Sequence, residues 1–138
     1  MKMMKKALLL SIGVSMTVLS ACSKKDNNPQ PGQGACLADQ ITMTQTKVED
    51  YPSSNTVFVT FDIKNTSTTN YDITEGAKMI MVKATVTTTD NTNYEETSPL
   101  PVSANLSAGA TASGMIKIEY GAGKKFKSYK IEKSCKNL

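Results

Sequence analysis

The stretch "TVFVTFDIKN" (residues 56–65) decides the fold. Side chains alternate along it, so that one face is uniformly apolar while the other carries Phe58, Thr60, Asp62 and Lys64. Successive side chains of a β-strand point to opposite faces, and a period of two therefore predicts a strand with one buried side. The residues that this pattern assigns to the core are Val57, Val59, Phe61 and Ile63.

Other segments repeat the pattern of alternation. "KMIMVKATVTTT" (78–89), "TASGMIKIEY" (111–120) and "FKSYKIEKSC" (126–135) are the clearest, "QITMTQTKV" (40–48) is weaker, and "NYEETS" (93–98) is typical of the return arm of a hairpin. The residues predicted to face inward on the three clear strands are Ile80, Val82, Ala84, Val86, Ile116, Ile118, Tyr120, Tyr129, Ile131 and Cys135.

Turn-forming residues separate these runs. They occur in "NTSTTN" (65–70), "DNTN" (90–93), "LSAGA" (106–110) and "GAGKK" (121–125). Six to eight short strands at this spacing, with no convincing amphipathic helix, predict an all-β antiparallel sandwich over residues 36–138.

Part of this region resembles a broad class of small extracellular bacterial immunoglobulin-like domains. In that class a strand ending in Lys-Asn, here "VFVTFDIKN", is followed by a pattern "L-x-x-G-x-x-x-x-G-x-I-x-I", here within "NLSAGATASGMIKIEY". The matching positions are Leu106, Gly109, Gly114, Ile116 and Ile118. The resemblance implies an immunoglobulin-like sandwich and carries no mechanism with it.

The first 22 residues have the form of an export signal. Lys2, Lys5 and Lys6 precede an apolar run of 15 residues, Ala7 to Ala21. A membrane-spanning helix needs about 20 such residues, so this run is more typical of a signal peptide.

The residues that end the run, Leu19-Ser20-Ala21-Cys22, resemble the lipobox of bacterial lipoproteins. The resemblance implies cleavage before Cys22, a diacylglyceryl group on its sulfur, and acylation (for example by palmitate) of the new amine. Two or more acyl chains anchor a protein stably to a bilayer, whereas one does so only marginally. The expectation is a lipoprotein held on the outer membrane, on its periplasmic face or at the cell surface; an ordinary secretory signal with a structural Cys22 is the alternative.

The chain is thus predicted to have three parts: a signal peptide at 1–21, a lipidated tether at 22–35 and a folded domain at 36–138. The tether sequence "SKKDNNPQPGQGA" (23–35) is too polar and too rich in Pro and Gly to bury a core. The formal net charge of +4 falls to +1 once Lys2, Lys5 and Lys6 are removed with the signal peptide.

The three cysteines divide into a lipid site and a pair. With Cys22 assigned to lipid, Cys36 and Cys135 remain at the two ends of the domain, where the first and last strands of a sandwich commonly approach each other. An exported protein can keep a disulfide oxidised, and we therefore expect Cys36–Cys135. A reactive thiol is the alternative, but the chain has no His to activate it.

No catalytic site is expected. The absence of His excludes the usual hydrolytic triad, and no Ser lies in a recognisable nucleophile motif. Glu95 and Glu96 are adjacent, so on a strand they face opposite sides and cannot act together. All basic residues are Lys, and without Arg or His the chain lacks the usual means of reading nucleic acid.

Two segments could bind metal ions, although no metal or other cofactor is predicted. "DNTNYE" (90–95) supplies the oxygen ligands that calcium prefers, from Asp90, Asn91, Asn93 and Glu95, but lacks the spacing and central Gly of a calcium loop. Met79 and Met81 share a strand face and could offer thioethers to Cu(I). A plain turn and ordinary apolar packing are the competing interpretations.

"GAGKKFK" (121–127) clusters Lys124, Lys125 and Lys127 about a Gly-rich turn, which could touch anionic headgroups or polysaccharide but lacks the form of a phosphate-binding loop. The function expected from the sequence is a non-catalytic binding or accessory module, partnered by an envelope protein or polysaccharide. Recognition is expected at loops 65–70, 90–93 and 121–125, because loops on a rigid scaffold carry function. The alternative is an envelope inhibitor or a copper or calcium chaperone.

Overall fold

A computed structural model describes residues 34–136. Within these residues, two short 3-10 helices, Ala38–Gln40 and Ile73–Glu75, accompany strands and turns. The strands are β1 (Ile41–Tyr51), β2 (Thr56–Asn65), β3 (Tyr71–Asp72), β4 (Met79–Thr88), β5 (Asn93–Pro99), β6 (Asn105–Leu106), β7 (Thr111–Glu119) and β8 (Phe126–Lys136).

The strands form two three-stranded antiparallel sheets that pack face to face. The first sheet has the order β1-β2-β7, the second has the order β5-β4-β8, and β3 pairs with β6 in a small ribbon. The chain crosses between the sheets after β2, and again on each side of β7, which brings strands distant in sequence together. The all-β antiparallel sandwich predicted from the sequence is confirmed.

The core lies between the inward faces of β2, β4 and β7. The apolar residues predicted to point inward on these three strands are all buried, with Val57, Val59 and Ile63 fully so. The inward face of β8 is less buried, since β8 is an edge strand, but Tyr129, Ile131 and Cys135 pack against the core as expected.

Strand β1 is longer than its sequence suggested. It spans 11 residues and pairs with β2 from Ile41 to Tyr51, with Thr46 unpaired, whereas alternation in "QITMTQTKV" is weak. The pairing register shifts between Gln45 and Lys47, so the inward set changes from odd positions, including Met43, to even ones, including Val48. A bulge of this kind hides a period-two pattern because it reverses the faces half-way along the strand.

The positions that match the immunoglobulin-like pattern each have a structural reason. Leu106, Ile116 and Ile118 are buried in the core. Gly109 has a φ of 75°, which L-residues rarely adopt. A Cβ added to Gly114 would lie 2.1 Å from the Pro101 carbonyl oxygen and 2.6 Å from Ile63 Cδ1, so no side chain fits there.

The sandwich has two ends that differ in what they carry. At one end, here called the proximal end, Ile41 lies beside Asn65 and Met79 beside Lys136. The described chain also starts here, since Gly34 donates its backbone N–H to the Gly76 carbonyl (2.8 Å). The opposite end, the distal end, consists of the turns 52–55, 89–92 and 120–125.

Candidate functional site

Cys36 and Cys135, the pair predicted from the sequence, are joined by a disulfide with their Cα atoms 5.7 Å apart. Cys135 lies opposite Ile80 near the end of β8, and the bond therefore ties the start of the domain to the second sheet. The disulfide fixes the point where the chain enters the domain. Cys22, the predicted lipid site, lies outside the described residues.

Asp90 is the centre of a hydrogen-bond cluster at the distal end. Its carboxylate accepts hydrogen bonds from the Thr88 hydroxyl (2.6 Å), the Thr92 backbone N–H (3.4 Å) and the Lys124 ammonium. The hydrogen bonds from Lys124 and Thr88 hold the pKa of Asp90 well below its usual range. The same ion pair raises the pKa of Lys124.

Two predicted recognition loops, 90–93 and 121–125, meet at this cluster. Besides the ion pair, Lys127 Nζ donates to Asn91 Oδ1 (2.7 Å), and the Thr89 backbone N–H donates to the Lys125 carbonyl (2.9 Å). Two of the three lysines of "GAGKKFK" are thus engaged within the protein. Lys125 is exposed and forms no ion pair among the described residues.

The turn 52–55 completes the distal end. The Tyr120 backbone N–H donates to the Asn55 carbonyl (2.8 Å), and the Tyr120 hydroxyl donates to Asp50 Oδ1 (2.6 Å). Burial and the Asp50 carboxylate together raise the pKa of Tyr120 to about 12. The three distal turns are therefore held to each other by specific hydrogen bonds.

The third predicted recognition loop, 65–70, lies at the proximal end and is held in place by the buried side chain of its first residue. Asn65 is fully buried, and its amide donates to the carbonyls of Thr69 (2.8 Å) and Leu106 (3.0 Å). Its side-chain oxygen accepts from the backbone N–H (3.0 Å) and the hydroxyl (2.7 Å) of Ser67. The structure thus separates this loop from the other two and gives its first residue a structural role.

The oxygen ligands suggested for calcium do not converge on one point. Asn91 and Asp90 accept hydrogen bonds from lysines, Asn93 Oδ1 accepts one from the Thr87 hydroxyl (2.8 Å), and Glu95 pairs with Lys83 (2.9 Å). Within residues 34–136 no three His, Cys, Asp or Glu side chains are grouped so that they could hold a metal ion.

The remaining sequence candidates lie on the second sheet. Met79 and Met81 are half-buried neighbours on the outer face of β4, as the alternation predicted. Glu95 points to that same outer face, where it meets Lys83, whereas Glu96 points toward the space between the sheets. The two carboxylates therefore lie on opposite sides of β5, as expected.

An exposed apolar group on the outer face of the first sheet was missed by the sequence analysis. Tyr51 and Met115 are 44% and 53% exposed, and Phe58 lies between them on the central strand. The rings of Tyr51 and Phe58 meet edge to face, with centroids 5.6 Å apart. The available signal was Phe58 itself, an aromatic residue on the polar face of "TVFVTFDIKN".

A cleft of about 460 Å³ opens between strands β5 and β7. Its lining mixes apolar and charged groups and reaches Met115 at the edge of the outer face. The lining residues are Glu96, Ser98, Pro99, Pro101, Met115, Ile116, Lys117 and Glu119.

Comparison with protein-family models, with curated proteins and with solved structures finds no match for this chain. Across the described residues, no helix is long and apolar enough to cross a bilayer.

Proposed function

We propose that this protein is an envelope lipoprotein, anchored by lipid on Cys22, whose β-sandwich is a non-catalytic binding or accessory module. The observation that carries the proposal is the lipobox-like sequence Leu19-Ser20-Ala21-Cys22, placed directly after a charged and apolar leader. The lipid would hold a water-soluble domain on the bacterial outer membrane, on its periplasmic face or at the cell surface.

The geometry of the domain is compatible with such an anchor. Residues 23–35 would span at most about 43 Å when fully extended. They lead to Cys36, which the disulfide with Cys135 fixes at the proximal end. A short tether attached at one end of the sandwich leaves the distal end as the part best placed to meet a partner.

The distal end has the properties of a recognition surface. Its three turns are held in place by the Asp90–Lys124, Asn91–Lys127 and Tyr120–Asn55 contacts, so they would lose little conformational freedom on binding. Lys125 is exposed there and available to an acidic group of an envelope protein or polysaccharide.

The anchor is tested by growing cells with a clickable fatty acid and purifying the protein. We expect the label on the wild-type chain and on Cys36→Ser, and no label on Cys22→Ala. An unlabelled wild-type chain, recovered in the soluble exported fraction, would overturn the anchor.

The binding role is tested by crosslinking the anchored protein in its own envelope and identifying what is captured. Lys125→Glu is compared with Thr68→Glu, which places the same acidic side chain at an exposed position of the proximal loop. We expect one partner to be captured by wild type and by Thr68→Glu and to be lost with Lys125→Glu. Capture of the same partner by all three proteins would refute recognition at the distal end.

A further inference from the structure

The sandwich has four edge strands, and three of them carry features that discourage pairing with another chain. A bare strand edge invites such pairing, which proteins prevent with bulges, charges, proline or covering segments. β1 has the bulge between Gln45 and Lys47, and Tyr129 of β8 donates a hydrogen bond to Gln45 (2.5 Å). β5 carries adjacent Glu95 and Glu96 and ends at Pro99.

β8 is protected more heavily than either of these. It carries four lysines, its register shifts beside Thr87 and Thr88, and the disulfide lies near its end. Lys133 on this strand also donates to the carbonyls of Ala38 (2.7 Å) and Ile41, which closes the β1–β8 side of the sandwich. The opposite side, between β5 and β7, contains the cleft.

The second half of β7 has no bulge and no proline, and its two charged residues, Lys117 and Glu119, are of opposite sign, so they do not exclude an antiparallel second copy. β7 is nine residues long, it pairs with β2 without a bulge, and among the described strands β2 alone bonds to it. The Pro101 carbonyl approaches it closely at Gly114, in its first half. From Met115 to Glu119 the edge is open, and Met115, at 53% exposed, is an apolar side chain without cover.

The backbone groups that face this open edge follow from the hydrogen bonds at the two ends of the β2–β7 ladder. The backbone N–H of Asn65 donates to the Ala110 carbonyl (3.0 Å), and the backbone N–H of Tyr120 donates to the Asn55 carbonyl (2.8 Å). In an antiparallel pair the residues bonded to the partner alternate along the strand, so the even-numbered residues of β7 bond to β2. The N–H and C=O groups of Met115, Lys117 and Glu119 therefore point outward to the open edge.

We propose that a second copy of this chain pairs with β7 through this edge, antiparallel, about a twofold axis at Ile118. In this register Lys117 lies directly opposite Glu119 of the second copy, and the second Lys117 lies opposite the first Glu119. Side chains directly opposite on paired strands are about 5 Å apart at Cβ, close enough for two reciprocal ion pairs. An axis at Lys117 would instead set two ammonium groups against each other.

The charges needed for this register are present and accessible. Lys117 and Glu119 already attract each other along the strand at 2.5 Å, with side chains 53% and 70% exposed. Each can exchange that contact for the equivalent residue of the second copy without being buried first. The result is a continuous six-stranded sheet, β1-β2-β7 followed by β7-β2-β1, with a self-complementary interface.

The proposed dimer has two structural consequences. The second copy would cover Met115 and the mouth of the cleft between β5 and β7. Because the two copies run antiparallel, their proximal ends lie at opposite ends of the dimer. Both tethers can then reach one bilayer only when the strands run parallel to its surface.

The test measures the oligomeric state of the mature lipidated chain, purified in detergent, by sedimentation over a concentration series. Every variant carries the same anchor, so differences between variants report on the domain. We expect wild type to dimerise, and Lys117→Glu or Glu119→Lys alone to weaken dimerisation by about tenfold or more, because each places like charges opposite each other at two symmetric positions. The double exchange Lys117→Glu with Glu119→Lys is expected to restore the dimer.

A matched control is available on β1, where Lys47 and Glu49 form the same type of pair, 2.8 Å apart and two residues apart on the strand. Lys47→Glu is expected to leave the dimer unchanged, and circular dichroism checks that each variant is folded. A wild-type chain that stays monomeric at its highest soluble concentration overturns the proposal. So does a dimer that resists both single changes, a double exchange that fails to restore it, or an equal loss with Lys47→Glu.

Discussion

The ammonium group of Lys133, on the last strand, donates a hydrogen bond to the carbonyl of Ile41, the first residue of β1. It also donates to the Ala38 carbonyl at 2.7 Å. Lys133 occupies an inward position of β8, between Ile131 and Cys135, and burial lowers its pKa. A charged residue thus joins the two sheets, close to the disulfide that ties the segment before β1 to the second sheet.

Replacing Lys133 by methionine should destabilise the domain by about 1–3 kcal/mol, because two carbonyl oxygens lose a charged hydrogen-bond donor while the aliphatic packing is kept. Urea unfolding measures the effect. Lys130→Met is the control, since Lys130 is exposed on the same strand and pairs only with Glu132, at 3.3 Å. Equal stability of the two variants would show that the Lys133 contacts contribute nothing.

Cys36→Ser should release one titratable thiol on Cys135 and lower the free energy of unfolding by about 2–5 kcal/mol, because the bond closes a loop of about 100 residues in the unfolded chain. Thermal unfolding with and without reductant checks this. The wild type should lose the same stability when it is reduced, whereas Cys36→Ser should be insensitive to reductant. An unchanged melting temperature in the variant would contradict the role given to the bond.

Gly114→Ala should cost about 1–3 kcal/mol, because its Cβ would overlap the Pro101 carbonyl oxygen and the Ile63 side chain. Gly109 is the contrasting case, with a φ of 75° but no atom within 4 Å of an added Cβ. Asn tolerates this conformation, so Gly109→Asn should cost less than Gly114→Asn. Chemical unfolding of wild type, Gly114→Ala, Gly114→Asn and Gly109→Asn separates backbone strain from steric overlap. A larger loss of stability with Gly109→Asn than with Gly114→Asn would refute both assignments.

Asn65→Asp should destabilise the domain by about 2 kcal/mol or more, because a carboxylate cannot donate to the carbonyls of Thr69 and Leu106 and would repel them. Asn70→Asp is a matched control at the other end of the same loop. Its side-chain oxygen accepts from the Ala108 backbone N–H at 2.9 Å, and a carboxylate keeps that acceptor. If both substitutions have the same effect on the melting temperature, the buried amide is not what organises loop 65–70.

We expect ionisation of the Tyr120 phenol to lower the free energy of unfolding of the domain at alkaline pH. The pKa of Tyr120 is raised from 10.0 to about 12, so the folded state holds the phenol proton more tightly than the unfolded chain does. The contribution of Tyr120 is complete below about pH 10 and is lost as the pH rises through about 12. Tyr120→Phe should remove this component and the hydrogen bond to Asp50, at a cost of about 1 kcal/mol near neutral pH.

The measurement is the free energy of unfolding of wild type and Tyr120→Phe between neutral pH and pH 12. The lysines titrate in the same range in both proteins, so the difference between the two curves isolates the effect of ionising the Tyr120 phenol. We expect the difference to shrink as the pH rises through the upper part of that range. A constant difference would show that Tyr120 ionises alike in the folded and unfolded states.

Much of the fold follows from local alternation. Alternate residues are predicted to be inward-facing from Val57 to Ile63 on β2, from Ile80 to Val86 on β4, and at Ile116, Ile118 and Tyr120 in and just after β7, and they are buried. Alternation works for these strands because each has one face in the core and a constant register. It was weak for β1, where a bulge exchanges the two faces, and it could not assign Lys133 to the interior.

The sequence alone predicts the series of short strands and turns, the disulfide between the two cysteines at the ends of the domain, and a lipid site at Cys22. These properties depend on side-chain period, residue type and count, all of which are local. Only the tertiary structure decides that loops 90–93 and 121–125 meet while 65–70 lies at the far end. It alone also shows that β7 keeps an open edge and that Gly114 passes against Pro101. Such relationships arise from strand order and sheet packing, which bring together residues that no local pattern relates.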